Sequence, residues 1–377
     1  MRELAPQILD VADLDRLLGL LRDEGYDCVG PTLRDGAIVY DEIRTTADFP
    51  RGWTDVQEAG TYRLERRADD ALFGYVVGPQ SWKKFLFPPS ERLWRIARDG
   101  HAFVPIPDAT PPVHHAFIGV RACELAALAI QDRVFGGGTH TEPGYLSRRA
   151  DAFIVAVNCV EAGGTCFCVS METGPAVSEG YDLALTEIVD ADRHVFVLDS
   201  GSARGAAILA KLDCPAADTS TQAAKTAGIA RAAAQMGRTL DTDGLPQLLR
   251  RQFDSPHWDT VAERCLACAN CTLVCPTCFC SNVEDVSDLD GSHAERWRRW
   301  DSCFNPGFSY IHGGEVRRST AARYRQWLTH KLSTWHDQFG SSGCVGCGRC
   351  VTWCPVGIDI TAEAAELRAL EDTHEKT

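Results

Sequence analysis

CLACANCTLVCPTCFC, residues 265–280, and CVGCGRCVTWCP, residues 344–355, decide how this chain is read. Stripped of their variable letters, both give C-x2-C-x2-C-x3-C-P, with 68 residues between Cys275 and Cys344. A cubane 4Fe-4S cluster needs four soft, deprotonated ligands, and thiolates suit it better than oxygen or amine donors. Three cysteines two residues apart let one short loop wrap a cluster and put three sulfurs on three irons. The fourth, three residues further and followed by proline, points away from that loop.

This is the ligand run of two-cluster ferredoxins, in which the fourth cysteine binds the other cluster. Crossed ligation assigns Cys265, Cys268, Cys271 and Cys354 to one 4Fe-4S centre, and Cys344, Cys347, Cys350 and Cys275 to a second. It also forces the two runs together in space. Zinc is the rival occupant. A four-cysteine zinc site draws two C-x2-C pairs from separated segments and rarely packs four cysteines into eleven residues before a proline. Two such runs arising without clusters is improbable.

The chain has 377 residues, enough for two domains or more. Its longest apolar stretches, such as Phe153 to Val157, are strand-sized, so no membrane span is expected. The opening MRELAPQILDVADLD lacks the basic and apolar regions of a signal peptide. Seventeen cysteines in such a chain imply a reducing compartment and metal ligation, with the cytoplasm as the expected location. A net charge of −14 argues against nucleic acid as a partner. Within that balance, Gly291 to Lys331 carries eight Lys/Arg against three Asp/Glu. It reads as a solvated helical face, as compensation for anionic clusters, or as a docking face for an acidic partner.

Along the chain, Leu14, Leu17, Leu18 and Leu21 form a helical stripe between Val11 and Glu24. Strands are expected at Ala37 to Ile43, Thr61 to Arg66 and Ala71 to Val77. The proline-rich Pro79 to Glu91 reads as a loop leading into a helix from Glu91 to Arg98, with Lys83 and Lys84 solvated. An α/β core follows: strand Ala116 to Val120, helix Arg121 to Arg133, strand Phe153 to Cys159, and a hairpin of Asp182 to Val189 with His194 to Leu198. Ala203 to Leu212 and Gln222 to Met236 are helical, and from about Leu245 the pattern becomes helical. Between the cysteine runs lie the Trp- and Arg-rich ERWRRWDSC, a glycine turn at Gly313-Gly314 and a long helix with Tyr324, Leu328, Leu332, Trp335 and Phe339 on one face, so that the link is read as helical. No G-x-G-x-x-G follows a strand and no lysine-bearing phosphate loop occurs. A nucleotide site of its own is therefore not expected.

Nine cysteines lie outside the two runs, at 28, 123, 159, 166, 168, 214, 278, 280 and 303. Two C-F-C pairs, Cys166-Phe167-Cys168 and Cys278-Phe279-Cys280, stand out, with Cys159 and Cys303 close to them in sequence. These six either converge on a third iron–sulfur cluster or are buried, inert thiols. Cys28 and Cys214 read as structural.

The chain resembles the beta subunits of cytoplasmic sulfhydrogenase-type nickel–iron hydrogenases and, equally, the A subunits of anaerobic sulfite reductases. The marks are FPPSE (Phe87 to Glu91), RACELAAL (Arg121 to Leu128), CFCVSMETG (Cys166 to Gly174), CPTCFC, WDSC (Trp300 to Cys303), PGFSYIHGG and CVGCGRC. In this family Cys123, Cys159, Cys166, Cys168, Cys278, Cys280 and Cys303 are similar to recurring cysteine positions, which favours a third cluster. The resemblance implies an electron-transfer subunit that works with a flavin- and NAD(P)-binding sister subunit and a catalytic hydrogenase or sulfite reductase subunit.

The expectation is thus an α+β protein: an N-terminal α/β domain over 1–250, followed by a helical two-cluster ferredoxin domain over 251–377. It would relay electrons and carry no substrate chemistry of its own. A redox- or oxygen-sensing module is the alternative, but two closed ligand sets suit a relay better than a sensor.

Overall fold

The computed structural model describes residues 5–107, 113–191 and 193–374. The architecture is mixed α+β, with sheet concentrated in the first half and helices in the second. Its largest element is a seven-stranded sheet. In spatial order the strands are Gln7–Asp10, His194–Ser200, Leu183–Val189, Phe153–Val157, His115–Arg121, Asp27–Arg34 and Ala37–Glu42. The four from Leu183–Val189 to Asp27–Arg34 run parallel, and the outer strands pair antiparallel.

The apolar run at residues 153–157 is buried on both faces because helices cover both. Phe153, Val155 and Val157 point to one side, where they meet Leu14, Leu17, Leu18 and Leu21 of helix Leu14–Asp23 and Leu209 of helix Ala203–Leu212. Ile154 and Ala156 point to the other, against Leu125 and Leu128 of helix Ala122–Gly136 and Tyr145 of helix Pro143–Asp151. Burying one such leucine stabilises by about 1.5–3 kcal/mol relative to leaving it exposed. The leucine stripe and the α/β core lie where the sequence pattern put them.

Three expectations are corrected. Ala71 to Val77 is buried but is no strand. Its backbone is held by carboxylates instead: Glu187 accepts from the N–H groups of Leu72 and Phe73, and Asp55 accepts from Val76. Glu91 to Arg98 is not a helix but part of strand Ser90–Asp99. That strand joins Ala102–Pro105, His293–Trp300 and Ser281–Ser287 in a four-stranded antiparallel sheet. The segment between the cysteine runs therefore begins as a hairpin and only then turns helical, from Thr320 to Phe339 through a π-helical turn at His330–Thr334. The four-stranded sheet takes two strands from each side of residue 250.

Candidate iron–sulfur centres

The two runs fold alike. In the first, Ala267 and Ala269 take left-handed backbone angles of 51° and 67°, and Cys271 follows in a short helix, Asn270–Leu273. In the second, the equivalent residues are Gly346 and Gly348, at 63° and 73°, and Cys350 lies in helix Arg349–Thr352. Each loop turns a backbone N–H onto its first sulfur: Ala267 donates to Cys265 Sγ and Gly346 to Cys344 Sγ, both at 3.4 Å. Such hydrogen bonds favour the thiolate that a cluster requires.

The fourth cysteines lie close to both runs. Cys354 lines one compact cavity with Cys265, Cys268 and Cys271, which Cys350 also borders and Phe304, Tyr324 and Trp327 close. Cys275 is an electrostatic neighbour of Cys344, Cys347 and Cys350, as well as of Cys271 in its own run. The donor chemistry fits iron–sulfur clusters, since both sets are all sulfur. Among the described residues, no three His, Cys, Asp or Glu side chains are gathered as one metal ion would need.

Buried cations surround the second set. Lys331, 2% exposed, reaches Cys275 Sγ at 3.3 Å, Thr277 Oγ1 at 3.2 Å and Cys278 Sγ at 3.6 Å. Burial opposes its charge, yet the nearby thiols of Cys275, Cys278, Cys344 and Cys350 hold the ammonium above its ordinary range. Lys83 is a correction to the sequence reading. Rather than solvated, it is 3% exposed, donates to the carbonyls of Cys275 and Cys278 at 2.9 and 3.0 Å, and stacks on Trp300. Lys84 is half-buried and also engaged, donating to the Tyr40 carbonyl. In the other direction, burial pushes the Cys344 thiol up to about 12, so a cluster must displace its proton on binding.

The basic stretch is largely satisfied internally. Arg298 pairs with Glu91 and Glu142, Arg296 with Asp285 and Arg299 with Glu284, while Arg323 caps the carbonyls of Arg317 and Arg318. Lys331 alone of these cations reaches thiols; the others named are held by carboxylates and carbonyls.

The two C-F-C pairs are not brought together. Cys166 and Cys168 share a buried cavity with Cys159 and with Cys123, next to Cys347. Cys278 and Cys280 line a different cavity with Cys303. The expected group of six therefore divides into two threes, and the first gains Cys123. The signal for Cys123 was its position. It directly follows strand His115–Arg121 as Cys159 follows strand Phe153–Val157, and ligands of open parallel sheets gather at the carboxyl ends of strands. Cys28 is buried in the sheet core, and Cys214 packs at its edge and touches the Leu212 carbonyl, so both stand apart from the clusters of thiols.

One further buried pair ties the second run to the sheet. Arg349, between Cys347 and Cys350, is fully buried and bonds Glu124, the residue after Cys123. Glu124 also accepts from Tyr40 Oη and Trp82 Nε1, and Arg349 donates to the carbonyls of Gly78 and Gln80.

Residues 264–358 match the family model of the 4Fe-4S dicluster domain. The chain is 29% identical over 323 residues to sulfhydrogenase 2 subunit beta of Pyrococcus furiosus, a match that covers 84% of this chain and 92% of that protein. No solved structure matches it significantly. The chain is thus similar to a 4Fe-4S dicluster domain over residues 264–358 and to a sulfhydrogenase beta subunit over most of its length, in line with the resemblance its sequence marks carry. No helix among the described residues is long and apolar enough to cross a membrane.

Proposed function

We propose that this chain is a cytoplasmic electron-relay subunit, working between a flavin- and NAD(P)-binding sister subunit and a catalytic subunit of the hydrogenase or the sulfur- or sulfite-reducing kind. The crossed arrangement of the two cysteine runs carries the reading. Cys265, Cys268, Cys271 and Cys354 hold one 4Fe-4S cluster, and Cys344, Cys347, Cys350 and Cys275 hold the second. Cys123, Cys159, Cys166 and Cys168 are a third four-thiol set, beside Cys347 and therefore next in line for electrons. Bound clusters supply one-electron redox chemistry at potentials set by charge, hydrogen bonds and exposure. The chain's part is to hold the sets side by side, exclude water from the inner ones and offset their charge with Lys331 and Lys83.

The name of the Pyrococcus relative supports a place in a multi-subunit complex. In this division of labour, residues 251–377 carry the paired clusters and residues 1–250 the third set. Partner dependence follows from chemistry: hydride donors deliver two electrons together, a flavin splits them, and the chain has no glycine pattern for a dinucleotide or flavin.

Anaerobic protein with Cys275→Ser tests the crossing. It is expected to lose the electron paramagnetic resonance signal of the centre on Cys344, Cys347 and Cys350 and keep that of the neighbouring run. Loss of the centre on Cys265, Cys268 and Cys271 alone overturns the assignment. Mixing the intact subunit with NADH or NADPH is expected to leave its cluster absorbance unbleached until a flavoprotein partner is added.

A further inference from the structure

Once the three four-thiol sets are assigned, Cys278, Cys280 and Cys303 remain. The fold gathers them deliberately at the base of the inserted hairpin. Strands Ser281–Ser287 and His293–Trp300 pair with Ser281 opposite Trp300, and the N–H of Asp301 donates to the Cys280 carbonyl at 2.9 Å. This closes the hairpin so that the cysteines before it meet the cysteine after it. Phe279, between the first two, packs against Trp335 and Phe339.

The cavity these thiols line differs from the others. Those around Cys265 and around Cys123 measure about 30 and about 20 Å³, whereas this one measures about 420 Å³. It reaches the surface at Gln338 and is lined by Lys331, Arg317, His330 and Gln326. No fourth cysteine faces it. His330 Nε2 is already bonded to Gln338 Oε1 at 2.9 Å. His330 and Lys331 begin the π-helical turn, a distortion of the helix that recurs at functional sites. The Lys331 ammonium lies between Cys275 Sγ and Cys278 Sγ, which sets this site directly beside the second cluster.

We infer that Cys278, Cys280 and Cys303 hold a further 4Fe-4S cluster through three thiolates, one iron of which takes its remaining ligand from the cavity: a small anion or anionic sulfur donor. Three sulfurs in one cavity wall bind three irons of a cubane and leave the fourth without a protein thiolate. The cationic lining of Lys331 and Arg317 favours a negative ligand, and the free volume admits one. The closed four-thiol sets have neither the vacancy nor the room. This reading rests on the chain being an iron–sulfur relay, since the Lys331 contact is its path for electrons.

The test uses the full chain, purified or reconstituted anaerobically, with potassium cyanide as the probe. Iron in the Cys280→Ala/Cys303→Ala double variant is expected to fall by about four per chain, the content of one cubane. Resonance signals of the other centres should persist, which also reports that the variant is folded. Cyanide is expected to shift one signal in the parent protein and none in the double variant. His330→Ala should keep both the iron and the cyanide response. Unchanged iron in the double variant, no cyanide response in the parent, or loss of the centre on His330→Ala equal to that of the thiol variants each overturns the open site. A chain that binds no iron at all overturns the relay reading instead, so the two failures are separable.

Discussion

The two cysteine runs share one spacing and one backbone conformation, yet they sit in opposite surroundings. Cys268 of the first is exposed and Leu266 beside it is 64% exposed. Its wall comes only from the later part of the chain, from Phe304, Tyr324 and Trp327. Cys344 and Cys347 of the second are 9% exposed. The N-terminal half clasps that run: Gln57 accepts from Thr352 at 2.7 Å, Thr165 meets Thr352 at 2.8 Å, and Phe167 donates to the Gly346 carbonyl at 2.8 Å. One cysteine motif thus lies once in an outer, exposed setting and once in an inner, enclosed one.

The largest expected break in this comparison lies at the residue between the second and third cysteines of each run. In the second run it is Arg349, fully buried on Glu124; in the first it is Asn270, exposed and bonded to the Trp353 carbonyl. Glu124→Gln leaves the guanidinium buried without its counter-charge, a loss of about 3–5 kcal/mol. Asn270→Ala should fall within about 0.5 kcal/mol of the parent, as surface changes do. Thermal unfolding of the anaerobic holoproteins checks both, and equal destabilisation would remove the distinction between inner and outer runs.

Next comes the loop itself. A Cβ on Gly346 would sit 2.5 Å from the Phe167 carbonyl oxygen and 2.6 Å from Cys168 N, both backbone, at a left-handed φ. The left-handed conformation costs about 1–2 kcal/mol and overpacking about 1–3 kcal/mol. Gly346→Ala is therefore expected to lower stability by about 2–5 kcal/mol and to loosen the Cys166-Phe167-Cys168 loop. Iron content after brief chelator exposure is the readout, with loss falling on the centres that contain Cys347 and Cys166.

How far these surroundings were legible depends on what each residue's partner is. The cysteine runs, the leucine stripe and the both-face-buried strand at 153–157 are local patterns, and the structure keeps them. Strand Ser90–Asp99 was not legible because its partner, His293–Trp300, lies about two hundred residues away, and a mixed sequence such as ERLWRIAR suits either period. Ala71 to Val77 is apolar enough for a strand but surrenders its N–H groups to Glu187 and Asp55, which no local pattern announces. Lys83 looked solvated as half of a Lys-Lys pair, and only the fold reveals the cysteine carbonyls that receive it. Cys123 carried a signal, its place just past a strand, but its companions appear only when neighbouring parallel strands are laid side by side.

Charge offers a finer test. Lys331 contacts Cys275, proposed here for the inner centre, and among the described residues no lysine is so placed at Cys354. Removing a positive charge makes an anionic cluster harder to reduce. Lys331→Met should lower the potential of the Cys275-containing centre by about 60 mV, corresponding to about 1.4 kcal/mol for one electron. The outer centre should move by less than half of that. Redox titration followed by electron paramagnetic resonance resolves the two, and equal shifts would show that Lys331 acts on the domain's overall field and not on one ligand set.

The smallest expected effect has the opposite sign. Ala267 and Ala269 hold the same left-handed conformation in the first run that Gly346 and Gly348 hold in the second. An L-residue there is strained by about 1–2 kcal/mol, which glycine relieves, while the added freedom of glycine in the unfolded chain costs about 0.4–1 kcal/mol. The surplus is a gain of about 0.5–1 kcal/mol for Ala267→Gly, a rise in melting temperature of a degree or two for a chain this long. Its inner counterpart, Gly346→Ala, should move stability several-fold further in the other direction, because backbone strain and the clash with Phe167 add there. Melting of the two anaerobic variants in parallel checks this asymmetry. If Ala267→Gly instead destabilises as strongly as Gly346→Ala, the alanine methyl makes packing contacts that outweigh its strain, and the outer loop is as tightly held as the inner one.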